Sequence, residues 1–347
     1  MSLLTSLISH QIWLQRTASG EVKDLTPFIQ EIRDEIKRQV LLFGDDGRST
    51  ARLNKLLRDL EEALTGITGD WQTKLTDDLK ELAAYEAEWN VKTLTANVDA
   101  EFVTPTAEQV WAAAEFQPLS LSDKPVDFTK LMSGWGETEV ARLVTGVKMG
   151  FVQGQTTRQI VKNVVGAGGL ADISERNATT VIRTALSHVS NEARNETYRQ
   201  NDDIIEKYEW VSTLDSRTST ICRARDGMTW EIGKGPMPPA HPNCRSTTAP
   251  VISSEFDFLD KGAKRAAKGA YGGTQVSADT TYYEFLKQQP AWFQDQAIGP
   301  VRGKIFRNSG ISPEEFRVKS VDGFGNPLTL KQMAELDKRV ADYLKGD

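Results

Sequence analysis

The chain has 347 residues, a length that predicts two or three domains, and its hydrophobic content of 39% and charged content of 26% are ordinary for a globular protein. The formal net charge of −6 excludes a uniformly basic nucleic-acid-binding protein, although it leaves room for a local basic patch. No apolar run approaches the roughly 20 residues that a membrane-spanning helix requires, and the first residues lack the basic region and the cleavage site of a signal peptide. The sequence therefore predicts a protein that stays in a reducing cytoplasm, where its two cysteines do not form a disulfide framework.

Residues 1–101 are predicted to be a helical region. Apolar residues recur at steps of three and four in three stretches, over residues 25–43, 53–64 and 71–89. Glycines after the first two stretches are expected to end those helices, which predicts three helices joined by short loops. The apolar faces can pack against each other in a bundle or against a helix of another chain, and packing within the chain is the interpretation we prefer.

Residues 102–136 are predicted to connect this region to the next domain, because Pro, Ser and Asp become more frequent there. A second domain is predicted over residues 137–252. It begins with apolar stripes that favour helices at 137–152, 157–165 and about 174–199. The glycine-rich run between the last two helices lacks the Lys-Ser/Thr of a phosphate-binding loop, and we interpret it as a turn between helices.

The pattern changes to that of a β structure after residue 203. Alternating residues predict strands at 208–211 and 228–232, and a Gly/Pro-rich loop follows at 233–242. The cysteines of the chain lie in this small module. The predicted fold class is therefore mainly α, with a small α+β module that contains a Cys/His set, and with an extended C-terminal region.

Residues 253–280 are predicted to be a flexible basic linker, because polar residues and glycines dominate there. A tail region is predicted over residues 281–347, with helices at 281–289 and 330–344. The linker's basic residues are candidate contacts for DNA phosphates, or a solvated charged face. They are Lys261, Lys264, Arg265 and Lys268.

Three side chains of the module, Cys222, His241 and Cys244, have the chemistry of zinc ligands. The His-x-x-Cys spacing lets two of them reach one point when the backbone turns, and Cys222 would be brought back to the same point by a strand-turn-strand unit. Tetrahedral zinc needs a fourth ligand, for which the nearby Asp215 and Asp226 are weak candidates. The sequence therefore predicts a structural metal site or a metal-free Cys/His clasp.

Two other interpretations of this cluster stay open. The first is a pair of ordinary reduced cysteines beside a histidine that stabilises a turn. The second is a catalytic site in which Cys222 or Cys244 is the nucleophile and His241 its base. Because the chain has three histidines and two of them lie outside the module, a catalytic centre is poorly supplied with titratable groups. We therefore predict that the protein is not an enzyme.

The module resembles the signature of the Mu F-like phage head-morphogenesis proteins. In that family a Trp is followed by an Asp-x-Arg-Thr turn, a Cys, an Asp-Gly pair and a His-Pro-Asn-Cys-Arg motif. Besides the Cys/His set, the matching residues here are Trp210, Asp215, Arg217, Asp226, Gly227, Pro242, Asn243 and Arg245. Arg183 and Thr184 resemble the family's Arg-Thr-Glu element, although Ala185 replaces its acidic residue, and residues 282–307 resemble the tail that follows the module in many members.

The resemblance implies a minor head protein of a tailed phage that acts in head morphogenesis at or near the portal and is carried inside the capsid. The implied partners are the portal protein and other head proteins, together with sequence-independent contact to packaged DNA. The implied location is the virion, after assembly in the host cytoplasm, without membrane insertion. The alternatives are a phage-encoded enzyme or toxin-like effector that uses the Cys/His site, a DNA-binding ejected protein, and a zinc-ribbon-like nucleic-acid module.

Overall fold

The computed structural model describes residues 2–45, 49–121, 124–252 and 262–346, which form mainly helices with a few short strands. The predicted fold class, mainly α with a small α+β module, is thereby confirmed. The helices of the described residues are α1 (Leu3–Asp24), α2 (Thr26–Phe43), α3 (Thr50–Asn97), α4 (Ala107–Phe116), α5 (Phe128–Val152), α6 (Thr157–Val165), α7 (Leu170–Arg199), α8 (Thr220–Arg225), α9 (Tyr282–Lys287), α10 (Ala291–Ile298), α11 (Pro300–Asn308), α12 (Pro313–Lys319), α13 (Leu330–Leu336) and α14 (Lys338–Gly346).

Three small antiparallel sheets occur in the described part of the chain. β1 pairs with β2 and β6 pairs with β7, whereas β3 lies between β4 and β5 in the third sheet. The strands are β1 (Leu119–Leu121), β2 (Lys124–Val126), β3 (Ile205–Val211), β4 (Thr229–Glu231), β5 (Thr247–Ile252), β6 (Lys264–Gly269) and β7 (Gly272–Ser277). Both strands predicted for the module occur as β3 and β4, but β5 was missed. It contains Pro250, which is tolerated because β5 lies at the edge of the sheet.

The largest hydrophobic core lies among α2, α3, α5, α6 and α7. The apolar stripe of α2 is buried against α3, so that Ile32 and Ile36 are 1% and 0% exposed. Trp71 of α3 packs on Trp135 of α5 with 4.4 Å between the ring centroids. Packing of these stripes within the chain is therefore confirmed, and the buried faces are not available to a partner helix.

The predicted second and third helices are in fact one continuous helix, α3. Gly66 and Gly69, which were expected to end the second helix, lie on its exposed side. A glycine inside a helix costs about 1 kcal/mol relative to alanine. Burial of Leu64, Ile67 and Trp71 along one face recovers more than this cost, since each large apolar side chain contributes roughly 1.5–3 kcal/mol.

Helix α1 was missed by the sequence analysis. It begins after Ser2, whose hydroxyl accepts a hydrogen bond from the backbone N–H of Thr5, and it buries Leu7 and Leu14. The helix lies across the module and packs against α7, β5 and β6. Its steps of four and seven between buried leucines are a helical signal, but the stripe is short and the first residues looked only mildly apolar.

The predicted flexible linker needs correction. Its residues 253–261 lie outside the described residues, but residues 264–277 form the hairpin of β6 and β7. Along β6, Arg265 and Ala267 are buried whereas Lys264 and Lys268 are exposed. This alternation with a period of two is typical of a strand with one buried face, and the basic composition had concealed it.

The C-terminal region is compact, which corrects the prediction that it is extended. Helices α9 to α14 surround a second hydrophobic core that includes Phe285, Phe306 and Phe316. The same core includes Leu214 of the module and Ala267 of β6, so the tail region packs directly against the module.

Candidate functional site

The Cys/His cluster is assembled from two segments that follow β3 in the chain. Cys222 lies in α8, a short helix that is capped by Ser219, whose hydroxyl accepts from the Cys222 N–H at 3.4 Å. His241 and Cys244 lie in the loop between β4 and β5. Trp210 of β3 is fully buried beneath both segments, in a core that also contains the two cysteines. The module thus holds the three side chains on a common hydrophobic base.

The three predicted ligands are brought together. Cys222 Sγ lies 3.6 Å from Cys244 Sγ and 3.3 Å from His241 Nε2, and all three ligand atoms lie within 4.8 Å of one another. Both cysteines are free and buried, whereas His241 is partly exposed. The convergence of these side chains from positions 222, 241 and 244 is the main geometric result of the site.

The loop that carries His241 and Cys244 is fixed to helix α7. Asn243 has a positive φ of 59°, a left-handed conformation that asparagine tolerates better than most residues. Its backbone N–H donates to the Thr184 hydroxyl at 3.1 Å, and its side-chain amide donates to the Thr180 hydroxyl at 3.2 Å. In the Arg-Thr element that the sequence analysis singled out, Thr184 therefore helps to hold the loop against α7. The second residue that holds the loop, Thr180, was missed.

Contacts within the cluster shift the pKa values of its two cysteines in opposite directions. The hydrogen bond between the two thiols, with Cys222 donating, lowers the pKa of Cys244 well below its usual range against the opposing effect of burial, and His241 lowers it further. The same hydrogen bond, together with burial, raises the pKa of Cys222. Burial lowers the pKa of His241, but the neighbouring Cys244 outweighs it and the pKa lies above its ordinary value. A cysteine whose pKa is lowered, next to an imidazole, is a suitable pair of ligands for zinc.

The geometry fits three corners of a zinc site. With Zn–S bonds of about 2.3 Å, two corners of a tetrahedron lie roughly 3.7 Å apart, close to the observed separation of the sulfur atoms. His241 Nδ1 lies 2.9 Å from the Pro242 carbonyl oxygen and must donate to it, which leaves Nε2 as the atom directed at Cys222. The residues therefore fit zinc, and the metal would add a cross-link between α8 and the loop.

Neither carboxylate considered as the fourth ligand is available. Asp215 accepts two hydrogen bonds from the Arg245 guanidinium, at 2.6 and 2.8 Å. Although burial raises the pKa of Asp215, Arg245 outweighs this effect and holds the pKa below its usual range. Asp226 is bound in the same two-pronged way by Arg265, at 3.0 and 3.1 Å. A cavity of about 40 Å³ borders Cys222 and His241 instead, with room for about one water as the fourth ligand.

Among the remaining residues of the predicted signature, Trp210 and Gly227 stabilise the fold of the module and do not contribute ligands to the Cys/His cluster. Trp210 Nε1 donates to the Ser212 hydroxyl at 3.0 Å, and the Arg225 guanidinium lies 5.1 Å from the centroid of its ring system. Gly227 has a φ of 78° and donates its N–H to the Trp210 carbonyl. Pro242 and the side chain of Arg217 are exposed. These contacts explain why a Trp and an Asp-Gly turn accompany the cysteines.

Of the residues predicted to contact DNA, some are exposed and one is buried. Lys264 and Lys268 are exposed on the outer face of β6. Arg265 is 2% exposed and bound to Asp226, to the Ser212 carbonyl and to the Thr280 carbonyl, so its proposed contact with DNA is corrected. Lys261 lies outside the described residues.

Helix α1 also reaches the site, which the sequence analysis did not anticipate. The side-chain amide of Gln11 donates to the Arg245 carbonyl at 3.4 Å, and Gln11 lines a cavity beside His241 and Cys244. These residues are separated by more than 200 positions, and no local pattern signals such a contact.

Comparison with known protein families gives one match, to the central part of the chain. Residues 141–249, from α5 to β5, match the family model described as Phage Mu protein F like protein. This match confirms the Mu F-like resemblance for the long helix and the Cys/His module. No curated protein and no solved structure matches the chain. Among the described residues, no helix is both long and apolar enough to cross a membrane.

Proposed function

We propose that this chain, with its Mu F-like segment at residues 141–249, is a minor head protein of a tailed phage that acts in head morphogenesis. The family match is the observation that carries this proposal. The finer parts of the proposal are attachment at or near the portal, carriage inside the capsid, and a role in assembly rather than catalysis.

The environment of the Cys/His cluster supports a structural role. Cys222 is 1% exposed, so its sulfur is poorly accessible to a substrate. The two carboxylates that were considered as further ligands, Asp215 and Asp226, are already paired with arginines, and neither is free to act as a general base. The arrangement favours a clasp, with zinc as its candidate metal, that holds α8 to the loop of His241 and Cys244.

Attachment to the portal would use exposed surface, because the apolar stripes of the N-terminal helices are buried in the chain's own core. Large exposed apolar side chains in this region include Leu42, which is 73% exposed, and Phe116, which is 80% exposed. Contact with packaged DNA would use Lys264 and Lys268, and such contacts are sequence-independent and weaken as salt concentration rises.

The assembly role is tested by expressing the tagged full chain with the portal protein encoded in the same phage genome. We expect the two proteins to co-purify, and we expect mass spectrometry to find this chain in purified virions at low copy number. An unrelated tagged protein that is not part of the phage head, expressed with the portal protein in the same way, controls for non-specific association. Absence of the chain from mature virions would contradict a role as a component of the head.

The distinction between assembly and catalysis is tested in infection. If the clasp is structural, Cys244→Ser lowers the amount of folded protein. Phage that carry this variant should then make fewer complete heads, in proportion to that loss. A variant protein that remains fully folded and is packaged normally, but gives non-infectious particles, would instead support the alternative of an enzyme or effector.

A further inference from the structure

A second feature lies beside the clasp, on the side that faces α1. A cavity of about 410 Å³ opens between α1, α7 and the loop of His241 and Cys244. Its volume is in the range of small-molecule sites, which is about 300–1,000 Å³. The clasp uses only one edge of this cavity, and the proposed assembly role does not use its interior.

Arginines supply most of the charge around the cavity, and the Cys244 thiol, whose pKa is lowered, also borders it. Arg183 of α7, Arg217 of the turn after β3 and Arg245 of the loop all line it, and no carboxylate does so among the described residues. Arg245 is neutralised by Asp215, but Arg183 is exposed and makes no ion pair within the described chain. The side chain of Arg217 is 77% exposed, and its Nε lies 3.8 Å from Asp215, beyond hydrogen-bond distance. The Arg183 guanidinium is therefore unpaired among the described residues, and the exposed Arg217 guanidinium is held only by this long ion pair, which a bound anion can replace.

Polar groups at the cavity border also lack partners. Gln11 and Asn243 both line the cavity, and the amide oxygen of each is buried without a hydrogen bond. Their amide nitrogens are already engaged, with the Arg245 carbonyl and the Thr180 hydroxyl respectively. Buried acceptors without partners are costly in folded proteins, so a ligand hydroxyl or amino group that donates to these oxygens would be stabilised.

We propose that this cavity binds the phosphate group of a nucleotide. Guanidinium groups bind phosphate oxygens through paired hydrogen bonds, which assigns the anion to Arg183 and Arg217. The sugar or base of the nucleotide supplies the donors that Gln11 and Asn243 lack. The phosphate belongs either to a free nucleotide or to the phosphorylated end of a DNA strand, and both share the same recognition chemistry.

Isothermal titration calorimetry on the full chain tests this proposal with five probes. They are inorganic phosphate, deoxyadenosine 5′-monophosphate, deoxyadenosine, and a short single-stranded oligonucleotide made once with and once without a 5′-phosphate. We expect the monophosphate to bind and the uncharged nucleoside to bind at least tenfold more weakly. Tighter binding of the phosphorylated oligonucleotide than of the mononucleotide would assign the site to a strand end, and the reverse order would assign it to a free nucleotide.

Variants separate this cavity from general surface charge. Arg183→Ala and Arg217→Ala remove exposed side chains and should leave the fold intact, while each weakens monophosphate binding by about tenfold or more. Arg58→Ala, at an exposed position on α3 away from the cavity, is the matched control and should bind as the unmodified protein does. Gln11→Met should weaken binding of the nucleotide more than binding of inorganic phosphate.

Two results would overturn the proposal. One is the absence of heat from every phosphate-bearing probe with the unmodified chain. The other is binding that Arg183→Ala and Arg217→Ala leave unchanged, since the phosphate would then be held elsewhere on the protein.

Discussion

The backbone N–H of Asn243 donates to the hydroxyl of Thr184 at 3.1 Å, and this bond fixes the loop between the second and third ligands of the clasp to the long helix α7. Thr184 is 1% exposed and its own hydroxyl donates to the Thr180 carbonyl, so its oxygen is oriented toward the loop. The position of His241 and Cys244 therefore depends on a residue of α7, about 60 positions earlier in the chain.

Replacing Thr184 with valine should release this loop. Thr184→Val removes the acceptor for the Asn243 N–H, which leaves a partly buried donor without a partner and should lower the free energy of unfolding by about 1–3 kcal/mol. Urea denaturation followed by circular dichroism measures the change. Thr179→Val is the matched control, because the Thr179 hydroxyl bonds only within its own helix, and it should cost much less. Equal losses in both variants would mean that the bond to the loop does not stabilise the module.

Loss of either cysteine should remove the metal site. Cys222→Ser and Cys244→Ser each take away one of three converging ligands and should abolish stoichiometric zinc, as measured by elemental analysis of protein kept under reducing conditions. The melting temperature should fall in both variants. A chelator should lower the melting temperature of the unmodified protein but not that of Cys244→Ser. If the unmodified protein contains no zinc and still has a higher melting temperature than both cysteine variants, the cluster is a metal-free clasp.

The ion pair between Arg265 and Asp226 should be essential for stability. Both groups are buried, and Arg265 also donates to two backbone carbonyls, so Arg265→Met leaves a buried carboxylate without its cation. Removal of one partner of such a pair costs about 3–5 kcal/mol. Lys268→Met on the exposed face of the same strand should change stability by no more than about 0.5 kcal/mol. Denaturant titration compares the two, and a similar small effect for both would show that the hairpin does not depend on this pair.

Stability should fall between weakly acid and neutral pH because of Glu192. Burial raises its pKa to about 7, whereas the unfolded chain has an ordinary value near 4.5. The folded state therefore binds an additional proton between pH 4.5 and about 7, and this contribution to stability is complete below pH 4.5 and is lost as pH rises through 7. Glu192→Gln should accordingly be more stable than the unmodified protein at pH 8, by on the order of 2 kcal/mol, with little difference at pH 4.

The pH effect has an internal control. Glu206→Gln changes an exposed carboxylate on β3 and should give the same small shift in unfolding free energy at pH 4 and pH 8. A gain for Glu192→Gln that does not depend on pH would show that the buried carboxyl is not the titrating group.

Sequence periodicity was sufficient to locate a helix or strand where its buried residues recur at a regular interval. The helix predicted at residues 157–165 has those bounds in the structure, and the long helix α7 and strand β3 lie where their apolar spacing placed them. It failed where tertiary burial overrode a local signal, as in α3, which continues through Gly66 and Gly69. The β6 and β7 hairpin was missed because its basic residues suggested solvent, although one of them points inward.

The residues of the Cys/His cluster and its family signature were determined by the sequence alone, because the ligand types and their spacing lie in one continuous stretch of chain. The tertiary structure decided what surrounds them. Asp215 and Asp226 proved to be partners of Arg245 and Arg265 rather than candidate ligands, and α1 proved to be a wall of the neighbouring cavity. Such contacts join residues 30 to more than 200 positions apart, so no local pattern carries them and they exist only once the core has brought those segments together.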